Sequence, residues 1–313
     1  MSICPTCSKE LNDNAKSCSV CSSGNSSKGS GNDQGDNVNI KMVFVEGGTF
    51  VMGAGDDEQA EGYSIDNEKP AHSVTVDDFY IGKYLITQKE WQKVMGINIT
   101  AHRDKVAPEV LLRGVGDDNP MYFVTWDNIQ EFISKLNSMT GKIYRLLTEA
   151  EWEYAARGGI KSKKYKYAGN DNIDDVAWYN VNSGVGNLNG DKWTYEYTMS
   201  YPEQYNELLG CNKSSTHPVG SKKPNELGIY DMSGNVFEWV SDWSGNYNPS
   251  PQINPTGAPS GTLGIIRGGS WANHKTHCRL SSRYFFLPTV PYATIGFRLA
   301  LSSSSNKKGC ENN

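Results

Sequence analysis

Residues 267–300 open as Arg267-Gly268-Gly269-Ser270-Trp271 and close as Ile295-Gly296-Phe297-Arg298-Leu299-Ala300, with a single cysteine, Cys278, between the two ends. His274 and His277 stand beside that cysteine. Together the three offer a mixed nitrogen and sulfur set of a kind that binds copper, zinc or iron. Two histidines and one thiol so close in sequence are more often separate surface and core residues. Spacing alone leaves both readings open.

Around this stretch lies a chain of 313 residues, 37% hydrophobic and 21% charged, enough for one large domain and a small appendage. The net charge of -5 provides no basic field to draw in nucleic acid or anionic lipid, so neither is expected as a partner. The longest apolar runs, such as IGFRLAL, fall far short of the roughly 20 residues that cross a bilayer. The N-terminus MSICPTCSKEL has no basic segment followed by an apolar core, and a cytoplasmic chain is expected.

Four of the seven cysteines, Cys4, Cys7, Cys18 and Cys21, form two CxxC knuckles within the first 22 residues. Each knuckle can present two thiolates to one tetrahedral zinc ion, and so short a segment has too little apolar surface to fold unaided. A pair of disulfides is the alternative, disfavoured in a reducing compartment. The expectation is a zinc ribbon over 1–22. With only Lys9 and Lys16 as basic residues it suits protein contact better than a phosphate backbone. A Ser/Gly/Asn-rich linker over 23–38 follows, and a disordered tail is expected at 303–313.

Between linker and tail, 39–302 reads as one domain. MVFVEGGTFVMG places two strand-like runs around Gly47-Gly48 and predicts a hairpin. HSVTVDDFYIGKY alternates as strands do. Thr87 with Glu90, and Thr148 with Glu151, make capping boxes that start helices near Gln88 and Glu149. Trp126, Ile129, Phe132, Ile133 and Leu136 share one helical face that Gly141 ends. Beyond Gly159 helical periodicity vanishes, which predicts long loops with small β elements, of the kind that an ion often supports.

The order of GGTFVMG, HSVTV before YLITQKEW, NPMYFVTWDNIQEF, YRLLTEAEWEYAARGG, HPVGSKKPNELGIYDMSGNVFEWVSDW and the closing RGGSW to IGFRLA resembles the formylglycine-generating enzyme, or sulfatase-modifying factor, family over residues 41–301. The resemblance implies an α+β domain of C-type-lectin-like fold, loop-rich and calcium-stabilised. By similarity the calcium ligands are Asp231, the carbonyls of Gly234 and Val236, and Glu238. Capping and salt-bridging of the same loop is the structural alternative. Trp239 and Trp243 read as core aromatics. Residues 184–215 look inserted relative to the family, and Cys211 within them reads as a buried free thiol.

Enzymes of this family oxidise a substrate cysteine to formylglycine with oxygen and copper(I), held by two cysteines five residues apart just after the GGS motif. Here the first position is Asn273 and the second is Cys278, so the pair that soft copper(I) requires is broken. The sulfoxide-synthase branch of the family carries its iron on an added helical domain, for which residues 1–40 have no room. Ser270 and Arg279 match the enzymes and are equally expected as structural residues. The same scaffold serves variable proteins of diversity-generating retroelements, whose diversified residues lie between an RGGSW-like start and a GFR-like end. Residues 272–294 mix Asn, His, Thr, Tyr and Phe, which combine adaptable hydrogen bonds with rigid aromatic area. The expectation is a binding module for a protein or small-molecule ligand, contacting it through Trp271, Asn273, His274, His277, Arg279, Tyr284, Phe286 and Tyr292. The alternative is a metal-dependent oxidase acting through Cys278 and Ser270.

Overall fold

Four helices begin where a threonine hydroxyl captures a free backbone N–H of the first turn. The computed structural model describes residues 38–55, 66–190 and 192–302 and two short strands near the N-terminus. Thr87 caps α1 (Gln88–Met95) and Asn98 caps α2 (Ile99–Val106). Thr125 caps α3 (Trp126–Thr140), and Thr148 caps α4 (Glu149–Ala156). In α1 and α4 the glutamate three residues on accepts the cap's own N–H, 2.9 Å away in each, completing the boxes predicted from sequence. Gly141 ends α3 in the left-handed conformation, and the side chains of Ile129, Phe132, Ile133 and Leu136 are buried as the spacing requires.

The N-terminal unit, Met1–Asp36, contains β1 (Ser2–Ile3) and β2 (Glu10–Leu11), paired antiparallel. The expected zinc ligands Cys4, Cys7, Cys18 and Cys21 lie outside the described residues, as do most of the linker and the tail over 303–313.

In the larger unit, the strands are β3 (Met42–Val45), β4 (Gly48–Met52), β5 (His72–Val76), β6 (Phe79–Gly82), β7 (Tyr144–Leu146), β8 (Phe237–Trp243), β9 (Gln252–Ile253), β10 (Gly264–Arg267), β11 (Arg283–Phe286), β12 (Ile295–Phe297) and β13 (Leu299–Ser302). They form three sheets, ordered β11-β10-β8-β12, β3-β6-β13-β7 and β4-β5-β9. The predicted hairpin at Gly47-Gly48 is not formed, because β3 pairs with β6 and β4 with β5, in different sheets. Neither glycine takes a positive φ. Their small size serves a close approach instead: a Cβ on Gly47 would lie 2.5 Å from the Val76 carbonyl oxygen.

Helix returns beyond Gly159, contrary to the sequence reading, in α5 (Ile173–Val176), α6 (Tyr195–Ser200) and α7 (Pro202–Cys211). Pro202 starts α7, and Tyr205 and Leu209, one turn apart, are its buried side chains. Cys211 is exposed rather than buried, since it lies off the Tyr205–Leu209 stripe. Trp239 is buried as expected, while Trp243 is half-buried and meets Trp126 edge-on at 6.1 Å. Trp91 stacks on Phe132 at 5.5 Å, and Phe297 of β12 packs edge-on against Phe132 at 5.3 Å.

Four arginines of the 267–298 segment are buried, each paired with a distant glutamate: Arg267 with Glu153, Arg279 with Glu68, Arg283 with Glu149, and Arg298 with Glu238. Arg298 gives two bonds of 2.9 Å to Glu238 and further bonds of 2.8 Å to the carbonyls of Gly82 and Tyr230, so one side chain joins three segments. Burial pushes the Glu153 carboxyl up, but Arg157 and Arg267 more than offset this and hold it below the usual range. Removing one partner of such a pair strands a buried charge. Arg298→Met is therefore expected to cost about 3–5 kcal/mol of unfolding free energy in a urea titration, and Arg298→Met with Glu238→Leu much less. A single-variant loss under about 1 kcal/mol would show that the pair is not a structural tie.

Candidate functional site

β10 delivers the chain into Gly268 and Gly269, both at positive φ, 95° and 75°. A Cβ on Gly269 would meet the Cys278 Sγ at 2.6 Å, so the second glycine is what lets the thiol pack beneath the turn. Cys278 is fully buried, and burial pushes its thiol up to about 12. Burial therefore keeps it protonated at neutral pH, unlike an activated nucleophile. Ser270 is also fully buried, and its hydroxyl donates to the Asn273 side-chain carbonyl. The two residues expected to act in catalysis are thus both withdrawn from solvent.

The 3-10 turn Lys275–Cys278 follows, with His274 as its N-cap. His277 is buried against Tyr284, ring centroids 5.1 Å apart. Burial chiefly, with His274 adding to it, lowers its pKa to about 3, so His277 is neutral. Among the described residues no group of three or more His, Cys, Asp or Glu side chains could hold a metal, so His274, His277 and Cys278 do not converge on one point.

Arg279 does not belong to a ligand face. The turn sends it inward, where it gives bonds of 2.7 and 2.9 Å to Glu68 and is fully buried. Phe286 is half-buried and packs against Tyr292, with ring centroids 5.1 Å apart, without lining the cleft. The remaining expected contact residues gather. Trp271, Asn273, His274, His277, Tyr284 and Tyr292 all line one cleft of about 750 Å³. Trp271 is fixed there by its indole N–H, which donates to the Ala293 carbonyl at 3.2 Å.

The opposite wall was not legible in the sequence. It consists of Thr198 and Met199 of α6, Pro202, Tyr205, Asn206 and Leu209 of α7, and the segment after α2 that includes Val110, Leu111 and Arg113. The inserted residues therefore pack on their own domain, and the Tyr205 hydroxyl donates to the Ala272 carbonyl at 2.7 Å to close the wall against the floor. The 3–4 spacing of Tyr205, Leu208 and Leu209 was the available signal. A larger groove of about 1380 Å³ runs past Phe44, Tyr80 and Trp126. Its charged residues Asp77 and Arg145 are already committed, to Asn254 and Glu151, and none of the expected contact residues reaches it. The smaller cleft is the better candidate.

The motif expected to bind calcium is a tight loop, with Asp231, Gly234 and Asn235 all at positive φ. Asp231 accepts from the Gly220 N–H at 2.8 Å and from the Asn235 amide at 3.3 Å. Glu238 gives both oxygens to Arg298. That leaves one carboxylate and the carbonyls of Gly234 and Val236, short of the six to eight oxygens calcium takes. In this chain the charge facing Glu238 is a guanidinium.

No helix among the described residues is long and apolar enough to cross a membrane. Residues 31–303 match the sulfatase-modifying factor enzyme 1-like domain. The chain is 34% identical over 279 residues to Chaperone protein LppX of Paenibacillus barcinonensis, spanning 78% of this chain and 83% of that protein. It is 28% identical over 303 residues to the formylglycine-generating enzyme of Streptomyces coelicolor, spanning 83% and 88%. Among solved structures, Treponema denticola variable protein 1 superposes with a TM-score of 0.64 at 26% identity, over 84% of this chain and 95% of that one. PvdO from Pseudomonas aeruginosa gives 0.64 at 27% identity, over 85% and 95%. With motifs, fold and family match in agreement, the chain belongs to the sulfatase-modifying factor family and has its C-type-lectin-like fold.

Proposed function

We propose that this chain is a binding member of its family rather than a formylglycine generator, and that the cleft receives an extended apolar segment of another polypeptide. The observation that carries this reading is the composition of the cleft rim. Leu111 is 71% exposed, Met199 60% and Tyr292 51%, above a floor of Trp271, Tyr284 and neutral His277. Large apolar side chains held in water around a concave site mark a surface that gains by being covered. Similarity to a relative named a chaperone favours a polypeptide over a small metabolite as occupant. A zinc ribbon at Cys4, Cys7, Cys18 and Cys21 would add a second protein contact.

Against catalysis stand Asn273 at the first thiol position and the buried, protonated Cys278 at the second. The likeness to Treponema denticola variable protein 1 favours a second reading, in which 272–294 is a diversified form of the same binding face. A near-copy of its coding segment beside a reverse transcriptase gene would mark that case.

Two measurements test the proposal. With copper(I), oxygen and a cysteine-containing sulfatase peptide, no aldehyde is expected by mass spectrometry; aldehyde formation that disappears in Cys278→Ser would sink the binding reading. In fluorescence anisotropy, a Leu/Val-rich peptide is expected to bind, and Met199→Glu to weaken it by about tenfold or more with the melting temperature unchanged. Equal binding by the variant places the peptide elsewhere.

A further inference from the structure

Arginine in this chain is almost always paired. Besides the four buried pairs, Arg103 meets Asp104, Arg145 meets Glu151 and Arg157 meets Glu153. Arg113 differs. It lines the cleft, where it is the one arginine or lysine among the described lining residues, and none of them is Asp or Glu. Its backbone N–H donates to the Tyr122 hydroxyl at 2.7 Å, but its guanidinium has no ion pair or hydrogen bond among the described residues. The side chain is half-buried. It lies against the last turn of α7, where a Cβ on Gly210 would come within 3.3 Å of Nη2. A glycine inside a helix is unfavourable relative to alanine, and here it leaves room for the guanidinium head.

A permanent cation, half withdrawn from water beside Leu111, Val110 and Leu209 and without a counter-charge, is an open half of an ion pair. The planar fork of donors suits a carboxylate, which can accept two parallel bonds. We propose that Arg113 anchors a carboxylate on the bound segment, so that the ligand of the cleft is an apolar stretch of polypeptide bearing one acidic group. This rests on the cleft being a polypeptide-binding site. Both an acidic side chain and a free C-terminus supply the required chemistry, and the position of the carboxylate relative to the apolar residues separates them.

The test compares three fluorescent versions of a Leu/Val-rich peptide: blocked at both ends, blocked with one Glu following the apolar run, and unblocked at the C-terminus. One or both carboxylate-bearing peptides are expected to bind the full-length protein about tenfold more tightly than the blocked one. The preference is expected to shrink in high salt, to vanish in Arg113→Met, and to be reduced but not lost in Arg113→Lys, which keeps the charge without the fork. The arm that carries it identifies the source. If all three peptides bind alike, or if Arg113→Met retains the preference, the carboxylate assignment is wrong and the cleft reading stands. If no peptide binds, or if binding is indifferent to Met199→Glu, the cleft reading fails and the assignment with it.

Discussion

Buried guanidinium–carboxylate pairs are the constraint on which the rest of this structure depends. A chain with loops this long cannot hold them by hydrophobic packing alone, because irregular backbone leaves polar groups that need partners. Arg267 shows how the problem is met: it donates to the carbonyls of Leu280, Ser281 and Ser282 as well as to Glu153, and so fastens an irregular loop to a helix. Arg283 does the same with the carbonyls of Asn67 and Gly245 and with Glu149. Arg267 gives three of its four bonds to backbone carbonyls and Arg283 two of four. At Glu238 the same device stands in the loop for which the family resemblance implies a calcium ion.

That scaffold decides what the cleft can do. Fastened from below, the segment after Trp271 has its one thiol sealed under Gly269 and His277 tilted against Tyr284, leaving a neutral aromatic floor. The hydroxyl of Ser270 is spent on Asn273, the residue that replaces a thiol, so the polar groups nearest the missing pair serve the turn itself. The wall contributed by α6 and α7 then turns an open face into a concave one. What this place presents is a concave apolar lining, with Cys278 buried beneath it.

Local chemistry made the helices legible. A Thr-x-x-Glu pair, as in α1 and α4, or an apolar stripe with a trailing glycine, as in α3, involves only neighbours in sequence, so these helices could be placed from the letters. The sheets could not, since pairing depends on partners far along the chain: the strands around Gly47-Gly48 read as a hairpin, yet each found a different neighbour. The same reason misplaced Arg279, whose partner Glu68 lies 211 residues away. Nothing within 272–294 distinguishes an arginine that faces a ligand from one that faces a buried glutamate. Six of the eight expected contact residues line one cleft and are bracketed by the family motifs, while the opposite wall comes from the inserted helices and the segment after α2, which those motifs do not cover.

The central claim is that ligand enters between the 271–294 face and the inserted helices. Amide hydrogen exchange, with and without a saturating acidic Leu/Val-rich peptide, tests it most directly. The account predicts slowed exchange in residues 107–113, 198–209 and 287–294, with the sheet around Phe44 and Tyr80 unchanged. Protection confined to that sheet, or peptide binding with no slowing at the cleft, would contradict it.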